Sequence, residues 1–136
     1  MATAYVFDKS LETGNQLIDT QHRELIKRLN ALLDACSTGK GRAAIEGFVK
    51  SVSEYTAKHF ADEEKLQQQS KYPDYINHKR YHDTFKKTVA SIGKEIAEQG
   101  PTISLTGKVN HDIAGWLITH IKTEDVKVAA HIRENN

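Results

Sequence analysis

The sequence predicts an all-α protein, an antiparallel up-down-up-down four-helix bundle with an irregular N-terminal arm. Three observations carry that prediction. Apolar residues recur at steps of three and four in four long blocks, as core-facing helices require. The breaks 37-STGKGR-42, 70-SKYPDY-75 and 99-QGPTIS-104 are short, rich in turn formers, and hold both prolines, Pro73 and Pro101. Strand-like alternation is poor throughout. Short connections then make successive helices run in opposite directions.

Taken in order, the arm is expected over 1–14, where Tyr5, Val6 and Phe7 can pack. The first helix is expected over about 15–37, facing inward through Ile18, His22, Leu25, Leu29 and Leu32. The second, 42–69, presents Phe48, Val52, Tyr55, His59, Glu63 and Leu66. The third, 74–99, presents Tyr75, His78, His82, Phe85, Val89, Ile92 and Ile96. The fourth, 103–132, presents Val109, Ile113, Leu117, His120 and Val128. The whole, 1–136, is expected to be one domain, long enough to build a core without disulfides.

Composition removes several functions. Lys+Arg (19) and Asp+Glu (18) nearly cancel, and no basic cluster follows a phosphate backbone, so nucleic acid is not an expected partner. The opening MATAYVFDKSLETG lacks the basic and apolar regions of a signal peptide. No apolar run approaches spanning length, so membrane insertion is not expected. The single cysteine, Cys36, fits a reducing cytoplasm.

Polar residues interrupt every apolar stripe: His22 in the first helix, His59 and Glu63 in the second, His78 and His82 in the third, His120 in the fourth. His22 is early in its helix, His59 and Glu63 late, His78 and His82 early, His120 late. Alternating direction brings them all to one end of the bundle. Buried imidazoles must be hydrogen-bonded, charged or bound to metal. Five cannot readily satisfy one another, since each neutral ring has one donor and one acceptor. Imidazole and carboxylate suit iron, zinc or copper. The inventory exceeds the four ligands of a tetrahedral zinc and fits two metals bridged by carboxylates.

These residues resemble the hemerythrin family, the bacterial hemerythrins in particular, over nearly the whole chain. The segments 18-IDTQH-22, 59-HFADEE-64, 78-HKRYH-82 and 116-WLITHIKTED-125 match the family's ID-x-QH, HF-x-x-EE, H-x-x-x-H and WL-x-x-HI-x-x-x-D, in order. The resemblance implies two iron ions. His78, His82 and His120 would hold one and His22 and His59 the other, with Glu63, Asp125 and an oxo or hydroxo group bridging. The second iron would keep an open position for reversible binding of dioxygen, without catalysis. Storage, delivery to an oxygen-consuming enzyme, or sensing would follow. Phe60, Trp116, Leu117 and Ile121 match positions that line or wall the oxygen pocket, Leu117 where an aliphatic side chain covers the ligand.

Two alternatives stay open: a di-iron redox enzyme acting on peroxide or nitric oxide, and a metal-storage module. Against the enzyme, no Glu is followed by His three residues later, the motif of carboxylate-rich di-iron bundles. One position conflicts with regular geometry. Asp125 is five residues after His120, about 140° away on an α-helix, whereas Glu124 would face the same side. The family pattern selects Asp125, so a wide turn or π-bulge is expected between His120 and Asp125. In the arm, Phe7 stands near where many bacterial members carry tryptophan, and the Val-Gly before the first motif is missing. His111 and His131 match no ligand motif and are expected to be ordinary hydrogen-bonded core residues. Cys36 is expected to be a bystander, and 62-DEEK-65 and 86-KK-87 mostly solvated surface.

Overall fold

The computed structural model describes residues 5–135; residues 1–4 of the expected arm, and Asn136, lie outside the described residues. Helix α1 spans Gln16–Ser37, α2 spans Arg42–Gln69 and α3 spans Tyr75–Gln99. The fourth helix, α4, covers 103–134 as one rod of changing pitch. It is α-helical over Ile103–Lys108, π-helical over Val109–Gly115 and α-helical over Trp116–His120. It is π-helical again over Ile121–Asp125 and ends α-helical over Val126–Glu134. No strand occurs among the described residues.

Local chemistry sets the helix ends. Asn15 Oδ1 accepts from the Ile18 N–H at 3.0 Å, and Thr102 Oγ1 from the Leu105 N–H at 3.1 Å, each capping a helix start. Gly39 (φ +71°) and Gly100 (φ +80°) turn the chain out of α1 and α3 through backbone conformations that side chains disfavour. Helix α3 starts one residue after the expected Asp74, which serves as its N-cap residue. Helix α4 continues two residues past the expected Ile132.

Helix α1 packs on α2, α2 on α3, and α4 closes the bundle against α1 and α3. The main core gathers Leu25, Leu29 and Leu32 with Ile45, Val52, Val89, Ile92, Ile96, Val109 and Ile113. A smaller cluster, Ile18, Val128 and Ala129, lies at the other side of the histidine level. The polar residues therefore form a layer between two apolar ones. On α2 the buried residues are Ile45, Val49, Val52, Thr56, His59, Phe60, Glu63 and Gln67, while the expected Phe48, Tyr55 and Leu66 are half-buried. Tyr55 keeps its phenol near water, with the Arg28 guanidinium 4.5 Å above its ring.

The described part of the arm is irregular and tied down. The Tyr5 N–H donates to Asn30 Oδ1 at 2.9 Å, and Asn30 Nδ2 donates back to the Tyr5 carbonyl at 2.8 Å. Phe7 packs against Leu11, Ile26 and Ile121, with the Arg23 guanidinium 4.6 Å above its ring. Val6 departs from the expectation and is 70% exposed, because in an extended stretch Tyr5 and Phe7 share a face and Val6 takes the other. Asp19 pins the arm to α1, accepting from the Thr13 N–H (2.9 Å), Thr13 Oγ1 (2.7 Å) and the Gly14 N–H (3.2 Å). Among the described residues no helix is long and apolar enough to cross a membrane.

Candidate metal centre

The seven residues singled out in the sequence meet at one level. His22, His59, Glu63, His78, His82, His120 and Asp125 are each at most 5% exposed. Their ligand atoms form two sets in which all lie within 4.8 Å of one another. One set is Glu63, His78, His82, His120 and Asp125; the other is His22, His59, Glu63 and Asp125. The two carboxylates belong to both. His78 Nε2 lies 2.7 Å from Glu63 Oε1 and 3.1 Å from Asp125 Oδ1. His120 Nε2 is 3.1 Å from Asp125 Oδ1, and His22 Nε2 is 2.9 Å from Asp125 Oδ2.

This arrangement fits a cation better than it fits itself. The Nε2 atoms of His78 and His82 both lie 3.2 Å from His120 Nε2, so three lone-pair positions converge. His59 Nε2 and Glu63 Oε2, 3.5 Å apart, are buried without a hydrogen-bonding partner among the described residues. Leaving such groups unpaired in a core costs about 1–3 kcal/mol each. A metal accepts all these lone pairs at once, and imidazole with carboxylate is a donor set for iron, zinc or copper.

Asp125 reaches the cluster through the π-helical turn Ile121–Asp125, in the expected place. The wider turn returns residue i+5 to the face of residue i. Asp125 is accordingly buried, whereas Glu124 is half-buried and pairs with Lys127 Nζ at 3.4 Å. The second π segment, Val109–Gly115, was not expected; it turns Val109, Ile113 and Ala114 into the core.

A surrounding shell of contacts orients the imidazoles. Gln21 Nε2 donates to Asp62 Oδ2 at 2.7 Å, which leaves Gln21 Oε1 as an acceptor 2.7 Å from His59 Nδ1. His59 must then carry its proton on Nδ1 and aim the Nε2 lone pair into the cluster. His82 Nδ1 lies 2.9 Å from a Glu64 carboxylate oxygen, and the Phe60 ring stacks on His82 at 3.7 Å with 1° between planes. Gln67, fully buried, donates to Glu63 Oε1 at 3.4 Å. Asp62 stays on the surface as expected, its side chain 40% exposed beside Lys58, whereas Glu64, 15% exposed, departs from the expectation of solvated surface. Each neighbours Glu63 along α2 and so points round the helix, Asp62 towards α1 and Glu64 towards α3. The available signal was adjacency to an inward ligand.

Charge inside the cluster is finely divided. Burial pushes His59 down to about 4, against the pull of Glu63, so this ring is neutral near pH 7. Burial also opposes a charge on His78, but hydrogen bonds to Asp125 and Glu63 outweigh it and lift His78 to about 9. His82 is raised in the same manner, burial being overcome by Glu63 and Glu64. Burial would raise Asp125, yet the charge and hydrogen bond of His120, with hydrogen bonds from His22 and His78, hold it well below the usual carboxylate range. Protons thus neutralise the carboxylates wherever a cation does not.

Of the residues matched to pocket positions, Phe60, Leu117 and Ile121 are buried and Trp116 is half-buried. Phe60 and Leu117 belong to the main core, while Ile121 packs with Leu11 and Ile26 on the arm side. Trp116 stacks on both Phe85 (4.3 Å) and His120 (4.6 Å), beside a surface groove of about 210 Å³ that Tyr81, Thr123 and Glu124 also line. His131 is half-buried with its Nε2 2.7 Å from the Ser70 carbonyl oxygen. His111 is not a core residue as expected: its side chain is 90% exposed beside Asp112, because it stands two residues from both of the inward Val109 and Ile113 and so on the opposite side of the helix.

A helical bundle with a buried histidine–carboxylate cluster able to hold cations at one end defines a helical metal-binding protein. The chain belongs to the hemerythrin family: the model of the hemerythrin HHE cation binding domain matches residues 13–132. It is 33% identical over 134 residues to the bacteriohemerythrin of Stenotrophomonas maltophilia, covering 94% of this chain and 81% of that protein. It is 33% identical over 129 residues to a myohemerythrin of Sipunculus nudus, covering 90% of this chain and 89% of that one. A crystal structure of wild-type hemerythrin shares the fold, with a TM-score of 0.82 over 96% of this chain and 98% of that chain, at 24% identity.

Proposed function

We propose that the protein binds dioxygen reversibly at a pair of iron ions, for storage, delivery or sensing, as a binding protein rather than an enzyme. One observation carries the reading: two donor sets, one of five residues and one of four, share Glu63 and Asp125. That pattern suits two cations bridged by the shared carboxylates. His78, His82 and His120 are the proposed ligands of one ion, and His22 and His59 of the other. The smaller set leaves the second ion with room for an added ligand. An iron pair held by these residues would supply the electrons that dioxygen draws on when bound and returns on release.

The chain's own part is to bind, orient and exclude water. Gln21 fixes the His59 tautomer, and Glu64 and Phe60 hold His82 in place. Phe60, Leu117 and Ile121 keep solvent from the cluster, which protects a reversible ligand from protonation and loss. Dioxygen is the proposed ligand, an oxygen-consuming enzyme the proposed recipient in delivery, and the cytoplasm the proposed location.

The test is iron content with optical spectra of the reduced protein under anaerobic conditions, after air, and after oxygen removal. Two irons per chain and a charge-transfer band that appears with oxygen and disappears without it are expected. A one-way change to a stable oxidised spectrum would overturn reversible binding.

A further inference from the structure

One helical turn inward from the histidines, each helix contributes a residue three positions away: Leu25 after His22, Thr56 before His59, Phe85 after His82, Leu117 before His120. Leu25, Thr56 and Phe85 are 1% exposed and Leu117 is 2% exposed. Thr56 is the polar member of this layer. Its Oγ1 is buried without a hydrogen-bonding partner among the described residues. A helical threonine ordinarily satisfies itself on the carbonyl four residues back, as Thr88 does on Thr84 (3.2 Å) and Thr123 on Thr119 (2.8 Å). Thr56 does not. A hydroxyl offers one donor and two acceptor positions, and leaving all of them empty in a core is unfavourable.

Its placement says what it can serve. Thr56 precedes Glu63 by seven residues, so the two point within about 20° of each other on α2. It lies about 4.5 Å further into the bundle than His59. His59 belongs to the smaller donor set, the one with a position to spare. We propose that the Thr56 hydroxyl donates a hydrogen bond to a small ligand with an oxygen or nitrogen acceptor atom, held on the His22–His59 side. Thr56 is then a positioning residue for that ligand, at the level of the apolar Leu25, Phe85 and Leu117, whose side chains carry no competing acceptor. The inference rests on the proposed function and names the protein group that steadies the ligand.

Two substitutions separate the hydroxyl from the shape. Thr56→Val keeps the volume and loses the donor; Thr56→Ser keeps the donor and loses a methyl group. Azide is the probe, titrated into the oxidised, iron-loaded full chain and followed by its absorption. Loss of one hydrogen bond should weaken azide binding about five- to tenfold in Thr56→Val, with Thr56→Ser within about twofold of the parent. Thermal melting of the metal-free chain gives the second readout: Thr56→Val should melt at or above the parent, since it removes an unpaired buried hydroxyl. Unchanged azide affinity in Thr56→Val overturns the inference, as does an equal loss in Thr56→Ser. A metal-free Thr56→Val that melts below the parent also overturns it, because the hydroxyl then has a partner within the protein. Iron content of the parent, read first, keeps the failures apart: a chain without iron overturns the proposed function and this inference together.

Discussion

The Nδ1 of His59 and the Oε1 of Gln21 lie 2.7 Å apart, and because Gln21 spends its amide N–H on Asp62, the imidazole has to be the donor. A glutamine on α1 thereby decides which nitrogen of a histidine on α2 faces the cluster. Gln21→Leu removes that control while remaining apolar and helix-compatible. Metal retention against a chelator should fall about 10- to 100-fold, with helix content by circular dichroism unchanged. Retention equal to the parent would show that His59 needs no orienting partner.

The π turn makes a second expectation specific. Asp125 is shared by both donor sets, whereas Glu124 faces partly outward beside Lys127. Asp125→Ala should bring metal stoichiometry below two per chain, and Glu124→Ala should leave it unchanged. Elemental analysis of the two purified variants decides this. The reverse result would mean that the fourth helix is regular there in solution.

His78 bridges Glu63 (2.7 Å) and Asp125 (3.1 Å), two carboxylates buried with it. His78→Ala should lower metal content, and in the metal-free chain it leaves those carboxylates facing each other. Breaking a buried ionic contact from one side costs about 3–5 kcal/mol, so a clear drop in melting temperature is expected. Melting equal to the parent without metal would contradict the ionic role given to His78.

Stability of the metal-free chain should depend on pH in two directions. His78 is lifted from its ordinary 6.5 to about 9. Its contribution is therefore full below pH 6.5 and is lost as pH rises through 9. His59 is depressed from 6.5 to about 4. Its contribution is present above pH 6.5 and is lost as pH falls towards 4, where the unfolded chain gains the proton first. Melts in chelator should accordingly peak near pH 6.5. Metal occupies the place of the His78 proton, so the loaded protein should lose the alkaline decline and should release protons on loading. A flat alkaline limb without metal would contradict the charge assigned to His78.

What was legible in the sequence, and what was not, follows from how each residue breaks its surroundings. His22, His59, His78, His82 and His120 stand out because polar groups interrupt apolar stripes at matching heights, and the structure brings them together. Asp125 is not readable from α periodicity, which favours Glu124; the family pattern and the π turn are both needed. Gln21 and Glu64 stand in the matched segments without a role, and Gln67 outside them, because a polar residue beside an inward one looks like ordinary helix surface. Thr56 escapes for the opposite reason: a β-branched side chain of valine's volume breaks no apolar pattern. Val6 and His111 face away from inward neighbours, Val6 between Tyr5 and Phe7 and His111 two residues from both Val109 and Ile113.

The fourth helix carries one residue more than a plain α turn between His120 and Asp125, and the π turn absorbs it. Upstream, Leu117 stays seated in the main core; downstream, Val128 and Ala129 stay seated on Ile18. Leu117 and Val128, eleven residues apart, would share a face to within about 20° even on a uniform α-helix, whereas Asp125 would stand about 140° from His120. The change of pitch is therefore what lets a rod seated in two cores contribute both His120 and Asp125 to the layer between them.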